Sequence, residues 1–245
     1  TANHETTDTK SYLSVVGDYA NVLWKSGDSF YLYGTDDGAS YYYYSFSTTD
    51  DGVTKATFAT SSSVASNNYY FAVSPKEAGG GAGIFTIGGN PKLAGFGTIP
   101  NTQVATAGSF DPSAGLAVAY SEGSYNPLSF HNMVSLLKIR VSGSRVSDLK
   151  TIRIQCLNQA VHGKLGVYYE DSQLKYAIAS SDPNYNYVEL MDTGTPFAAD
   201  TDYYIAVAPG DYQGISVTFL FDDDTYFSKT LLGDSSLTLP RSSVR

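Results

Sequence analysis

A single cysteine, Cys156, in 245 residues excludes an internal disulfide and any multi-cysteine metal site. Cys156 falls in phase with Ile152 and Ile154 on an alternating run, which predicts a buried structural thiol and not a nucleophile. Only 15 Lys and Arg stand against 24 Asp and Glu, for a net charge of -9. Spread over the whole chain, these cations lack the clustering that phosphate binding needs, so a nucleic-acid partner is excluded. No apolar run approaches the roughly 20 residues that cross a bilayer as a helix. The start, Thr1-Ala2-Asn3-His4-Glu5, carries no basic and hydrophobic export signal, and the composition favours a signal that has been removed. No segment holds a sustained 3.6-residue apolar period, so little helix is expected.

Chemistry-bearing constellations are missing too. Gly79-Gly80-Gly81-Ala82-Gly83 has neither the Gly-x-Gly-x-x-Gly spacing nor a following helix, and the run Gly83 to Gly88 is followed by Gly89-Asn90 where a nucleotide loop needs Lys and Ser or Thr. It reads as a flexible surface loop within a loop-like stretch, residues 76–115. His4-Glu5 lacks the second histidine of a zinc-protease helix, and His131 and His162 are far apart. No serine sits in a Gly-x-Ser-x-Gly elbow. Asp222-Asp223-Asp224 are consecutive, unlike spaced calcium-loop ligands, and read as a solvated hairpin tip. Nothing singles out a carboxylate pair for glycoside hydrolysis. The expectation is a protein that is not an enzyme, with no catalytic residues, no metal and no cofactor.

What is abundant is strand and turn material, including 21 tyrosines and 23 glycines. One phrase occurs twice. Tyr69-Tyr70-Phe71-Ala72-Val73-Ser74-Pro75 returns about half a chain later as Tyr203-Tyr204-Ile205-Ala206-Val207-Ala208-Pro209. Each is an aromatic, β-branched strand closed by a proline. The separation is too long for a solenoid repeat and predicts two tandem β domains. Asp36-Asp37-Gly38 and Asp50-Asp51-Gly52 signal hairpins around a strand at Tyr41 to Phe46, followed by another near Thr54 to Phe58. Ser121 to Pro127 is the best linker, giving domains 1–127 and 128–245, with the repeated phrase at equivalent positions in each. In the second half, Leu137, Ile139 and Val141 alternate with Lys138 and Arg140 as a half-buried strand. Thr151 to Cys156, Leu165 to Tyr169, Leu174 to Ala179, Tyr187 to Leu190 and Ile215 to Phe221 follow at sandwich spacing.

The one candidate binding stretch is Tyr41-Tyr42-Tyr43-Tyr44. In a strand, two of its rings point away from the core, where they can stack on sugars or pack on another subunit.

The ordered set of phrases resembles the fimbrillin-like proteins of Bacteroidetes, the major and minor fimbrillins of type V pili. The residues that carry the resemblance are Trp24 with Gly27-Asp28, Tyr69 to Val73 ending at Pro75, Gln103, Ser109-Phe110-Asp111, and Leu116 to Ala119. They continue in Leu128 to Asn132, Leu136 to Ile139, His162 to Leu165, and Tyr203 to Gly210. The resemblance implies an all-β chain of two tandem transthyretin-like Greek-key β-sandwich domains. It further implies export as a lipoprotein precursor, trimming by an arginine-directed protease, and head-to-tail strand exchange with other fimbrial subunits on the outer membrane. Host or bacterial surface glycans or proteins are the expected adhesion partners. Two departures stand out: no lipidated cysteine near the start, and an end at Arg245 where the resemblance leads one to expect a further strand or a separate C-terminal domain. With no Arg before Arg140, processing upstream of Thr1 is expected, and Ser11 to Val16 is expected as a displaceable terminal strand.

The leading expectation is therefore a structural and adhesive fimbrial subunit. The alternative is a cell-surface carbohydrate-binding module built on Tyr41 to Tyr44.

Overall fold

The computed structural model describes residues 12–16, 19–178, 185–231 and 235–245. The expected polar start, the His4-Glu5 pair and the proposed upstream processing site lie outside these residues. Among the described residues the chain is all β, with three short 3-10 turns and no α-helix. Among these residues no helix is long and apolar enough to cross a membrane.

The strands run β1 Tyr12–Val16, β2 Tyr19–Leu23, β3 Ser29–Thr35, β4 Tyr42–Ser47, β5 Tyr69–Ser74, β6 Gly79–Ile87 and β7 Asn90–Ile99. They continue as β8 Thr102–Val104, β9 Ala117–Glu122, β10 His131–Asn132, β11 Ser135–Arg140, β12 Leu149–Gln155, β13 Gly163–Glu170 and β14 Gln173–Ile178. The last are β15 Tyr187–Met191, β16 Asp202–Val207, β17 Gly210–Gln213, β18 Ser216–Phe221, β19 Tyr226–Thr230 and β20 Ser236–Leu239.

Two compact units emerge. Unit 1 comprises Thr1–Thr98, Gly115–Met133 and Lys164–Ala179; unit 2 comprises Ile99–Ala114, Val134–Gly163 and Ser180–Arg245. This division differs from a single break at Ser121 to Pro127. Ser121 and Glu122 finish β9, and Leu128 and Phe130 pack into the unit 1 core. Each unit also takes strands from the other half of the sequence. Backbone pairing, which is blind to sequence distance, explains this: β8 finds its ladder partner in β15, while β13 and β14 join β7 and β6.

In unit 1 a five-stranded sheet, ordered β10-β9-β5-β3-β4, carries a core on one face. That core holds Trp24, Phe30, Leu32, Phe46, Phe58, Tyr70 and Phe130. Trp24 meets Phe58 edge-on at 4.8 Å, and Phe30 stacks on Phe46 at 5.0 Å. A four-stranded sheet, β14-β13-β7-β6, belongs to the same unit, and β1 pairs only with β2 among the described residues. Of the terminal strand expected at Ser11 to Val16, the described part, Tyr12–Val16, is present as this β1 ribbon.

Two expectations fail here. The stretch 76–115 is not loop-like, since it contains β6, β7 and β8. Gly79 to Gly83 opens β6, and its glycines are spacers under aromatic rings. A Cβ at Gly79 would lie 2.5 Å from the Tyr33 hydroxyl, and one at Gly95 of β7 would lie 2.8 Å from Phe71. Glycine is therefore required by close approach and not by mobility. Conversely, Thr54 to Phe58 forms no strand: isolated bridges flank it, Trp24 to Val53 and Ser47 to Ala59, the Thr57 amide donates to Asp50 Oδ2 at 2.6 Å, and Ala56 and Phe58 are buried in the unit 1 core.

Unit 2 holds a five-stranded sheet, β19-β18-β12-β15-β8, with the pairs β11-β16 and β17-β20. Its core gathers Ile152, Ile154, Val188, Leu190, Tyr203, Ile205, Val207 and Tyr212. Cys156 is 1% exposed in this core, as its phase with Ile152 and Ile154 predicts.

Candidate binding site

The tyrosine run forms the end of one strand and divides between two environments. β4 is an edge strand, and alternation sends successive rings to opposite faces. Tyr41 and Tyr43 meet Tyr33 and Tyr31 edge-on at 5.4 and 5.6 Å. The result is a herringbone of four tyrosines on one face of β3 and β4. Tyr42 and Tyr43 are the most open, at 63% and 64% exposure. Tyr44 packs against the core, and its hydroxyl accepts the Ala65 amide at 3.0 Å. The run thus supplies exposed aromatic surface, but its four rings do not make one platform. Burial pushes the Tyr33 hydroxyl up to about 12, outweighing the hydrogen bond from the Gly81 backbone.

A second feature of unit 1 was not singled out in the sequence. A cleft of about 410 Å³ is lined by Asp36, Asp37, Tyr69, Leu93, Tyr120, Glu122 and Tyr169. One wall is aromatic: Tyr120 and Tyr169 stack at 4.8 Å with an interplanar angle of 21°. Phe71 backs Tyr120 at 5.1 Å, and the Tyr120 hydroxyl donates to Glu122 Oε1 at 2.6 Å. Burial, then the Glu122 carboxylate, raises the Tyr120 hydroxyl pKa, so it stays a donor. Asp36 Oδ1 accepts the Asn68 amide and Asp37 Oδ1 that of Ala39, each at 2.8 Å. The Ala39 bond closes the turn from β3 to β4, and the Asn68 bond ties that turn to the chain entering β5. The second oxygen of all three carboxylates has no hydrogen bond or ion pair among the described residues.

These residues come from five separate stretches of sequence, which is why no local motif revealed them. Asp36 and Asp37 were legible only as turn residues, and Tyr69 as part of the repeated phrase. The single local signal was the i, i+2 spacing of Tyr120 and Glu122, which puts both on one face of β9.

The remaining candidates are structural. His162 is buried against Tyr185 at 4.9 Å. The Asp222 to Asp224 tip joins β18 to β19 in an exposed turn, with Asp223 paired to Arg145 at 2.9 Å. Bonds from Thr225 and then Arg145 hold its carboxyl down to about 2. Among the described residues no group of three or more His, Cys, Asp or Glu is disposed to hold a metal ion.

No protein-family model matches the chain, and no curated protein matches it. Among solved structures it is similar to a candidate cell adhesion protein from Bacteroides ovatus, at 13% identity and a TM-score of 0.48. That match covers 96% of this chain and 89% of the other.

Proposed function

We propose that the protein is a non-catalytic structural and adhesive subunit of a cell-surface fimbria, assembling head to tail by β-strand exchange. The reading includes two transthyretin-like sandwiches, export, and anchoring of the fibre at the outer membrane. One observation carries it: the segment Ser236–Arg245 closes edges of unit 2 almost entirely through its backbone. β20 pairs with β17. Beyond Pro240 the chain runs parallel to β11, where Leu136 N donates to Ser243 O at 2.8 Å and Arg245 N donates to Leu136 O at 2.9 Å. Within the segment only Leu239 is fully buried. An equivalent segment from a neighbouring subunit can satisfy the same ladder and fill the same apolar sites, that of Leu239 in the core and that of Leu237 packed against it. Donor and acceptor surfaces differ, so the contact propagates as an open filament.

A cysteine pair tests this directly, because Lys138 N donates to Arg245 O at 2.6 Å. In a Lys138→Cys, Arg245→Cys variant, fibres sheared from cells should give disulfide-linked ladders on a non-reducing gel. Links confined within single chains would refute exchange at this edge. Unchanged fibres and attachment on cells lacking the gene would refute the fimbrial role itself.

The carbohydrate-binding alternative draws on the exposed rings of Tyr42 and Tyr43. Glycan-array binding lost in Tyr42→Ala or Tyr43→Ala would promote it.

A further inference from the structure

We propose that the unit 1 cleft is a socket for a basic side chain of a protein partner, with arginine the residue that fits it. The guanidinium would lie on the Tyr169–Tyr120 wall and place its N–H groups on the open oxygens of Asp36, Asp37 and Glu122.

The reasoning starts from what the cleft offers. Each of the three carboxylates spends one oxygen on a fixed internal donor and keeps one open. None of the residues lining the cleft is basic, so every charged group facing a ligand is a carboxylate acceptor, with the Tyr69 and Tyr169 hydroxyls beside them able to donate or accept. A ligand rich in donors is required, and a cationic one also relieves the mutual repulsion of the carboxylates. A bare metal ion is a poor candidate, because these carboxylates do not converge as a metal-ligating group. A neutral sugar leaves the like charges uncompensated.

The aromatic wall narrows the choice. Tyr169 is 44% exposed and presents a ring already stacked on Tyr120, which is itself held by Phe71 and Glu122. A planar guanidinium stacks on such a face and forks its donors toward carboxylates, whereas an ammonium is a compact, strongly hydrated point charge. Because the wall is fixed by packing, little ordering cost falls on binding. The inference stands apart from strand exchange: it uses unit 1 residues alone and needs no assembly.

Isothermal titration of the full monomeric chain with blocked glycyl tripeptides carrying a central arginine, lysine or citrulline tests it. The arginine peptide should bind, the lysine peptide more weakly, and the citrulline peptide not measurably. Glu122→Gln and Tyr169→Leu should each weaken arginine-peptide binding about tenfold, with circular dichroism confirming a native melt. Glu77→Gln removes the same charge at an exposed site outside the cleft and should leave binding unchanged. No arginine-peptide binding at millimolar concentration would overturn the proposal. So would equal binding of citrulline, an equal loss in Glu77→Gln, or displacement of the peptide by a neutral oligosaccharide.

Discussion

The two copies of the repeated phrase, β5 and β16, are buried almost equally and yet sit in different settings. β5 has a strand on each side, β3 and β9. β16 has β11 on one side, and the side chain of Gln103 serves its Ala206. The Gln103 amide accepts from Ala206 N at 2.8 Å and donates to Ala206 O at 2.7 Å, mimicking one rung of a ladder. The apolar phase differs as well. Tyr70 and Ala72 join the unit 1 core, while Tyr203, Ile205 and Val207 join that of unit 2, a shift of one residue along the phrase. The tyrosine hydroxyls show the same offset. Tyr70 accepts from Asn67 N and donates to Ala65 O, whereas it is the first tyrosine of the second copy, Tyr203, that accepts from Ala198 N. Both are tyrosine corners that fix the chain entering the strand. A doublet of tyrosines lets the corner form in either phase, so equal phrases need not mean equal registers.

The sharpest way to break this comparison is Gln103→Leu. Gln103 is fully buried, so losing its amide leaves the N–H and C=O of Ala206 unpaired, at a cost of about 2–5 kcal/mol. Urea denaturation followed by circular dichroism measures it. A change under about 0.5 kcal/mol would mean that β16 does not depend on this rung.

Gly81→Ala tests the correction that places glycine-rich β6 against the tyrosine face. Gly81 has φ +102, and a Cβ there would meet the Tyr41 hydroxyl at 2.7 Å. A loss of about 1–3 kcal/mol is expected. Trp24 is the sole tryptophan and lies in the unit 1 core, so its fluorescence follows this unit. Tolerance of alanine would restore the flexible-loop reading.

The corner phase can be read from four tyrosine-to-phenylalanine changes. Tyr70→Phe and Tyr203→Phe should each cost about 1–2 kcal/mol by orphaning backbone groups. Tyr69→Phe and Tyr204→Phe, whose hydroxyls have no hydrogen bond among the described residues, should stay within about 0.5 kcal/mol. Equal costs within each doublet would erase the one-residue offset.

The smallest effect concerns the residue before each doublet, Asn68 in the first copy and Asp202 in the second. Asp202 binds Arg140 through both oxygens, at 2.6 and 2.8 Å, and Lys138 at 2.9 Å. Those bonds, Arg140 first, hold its carboxyl down to about 2 from an ordinary value near 3.8. A depressed folded-state pKa gives stabilisation that is present above the unfolded value and lost as pH falls toward 2. Asp202→Asn should therefore be less stable than the parent at pH 6 and equal to it near pH 2. Asn68→Ala should show no such convergence.

Much of the fold was legible because local physics sufficed. Alternation in Leu137 to Val141 and Thr151 to Cys156 marked strands and even the buried face of Cys156. Asp36-Asp37-Gly38 supplied its turn, with Gly38 at φ +79. Glycine was misread where it serves packing. Nothing adjacent to Gly79 or Gly95 in sequence announces the rings of Tyr33 and Phe71 that exclude a side chain there.

The sequence by itself determined that the protein is built of strands, through aromatic and β-branched alternation and the missing helical period, and it marked many of the runs they occupy, though not β6, β7 and β8. Tertiary structure alone decided which strands pair. It moved residues 99–114 into unit 2 and 164–179 into unit 1, set the two copies of the phrase one residue apart, and gathered Asp36, Asp37, Tyr120, Glu122 and Tyr169 around one cleft. The reason is physical. A strand's own conformation is encoded within a few residues, whereas its partner is selected by ladder hydrogen bonds and side-chain fit between segments that are distant in sequence.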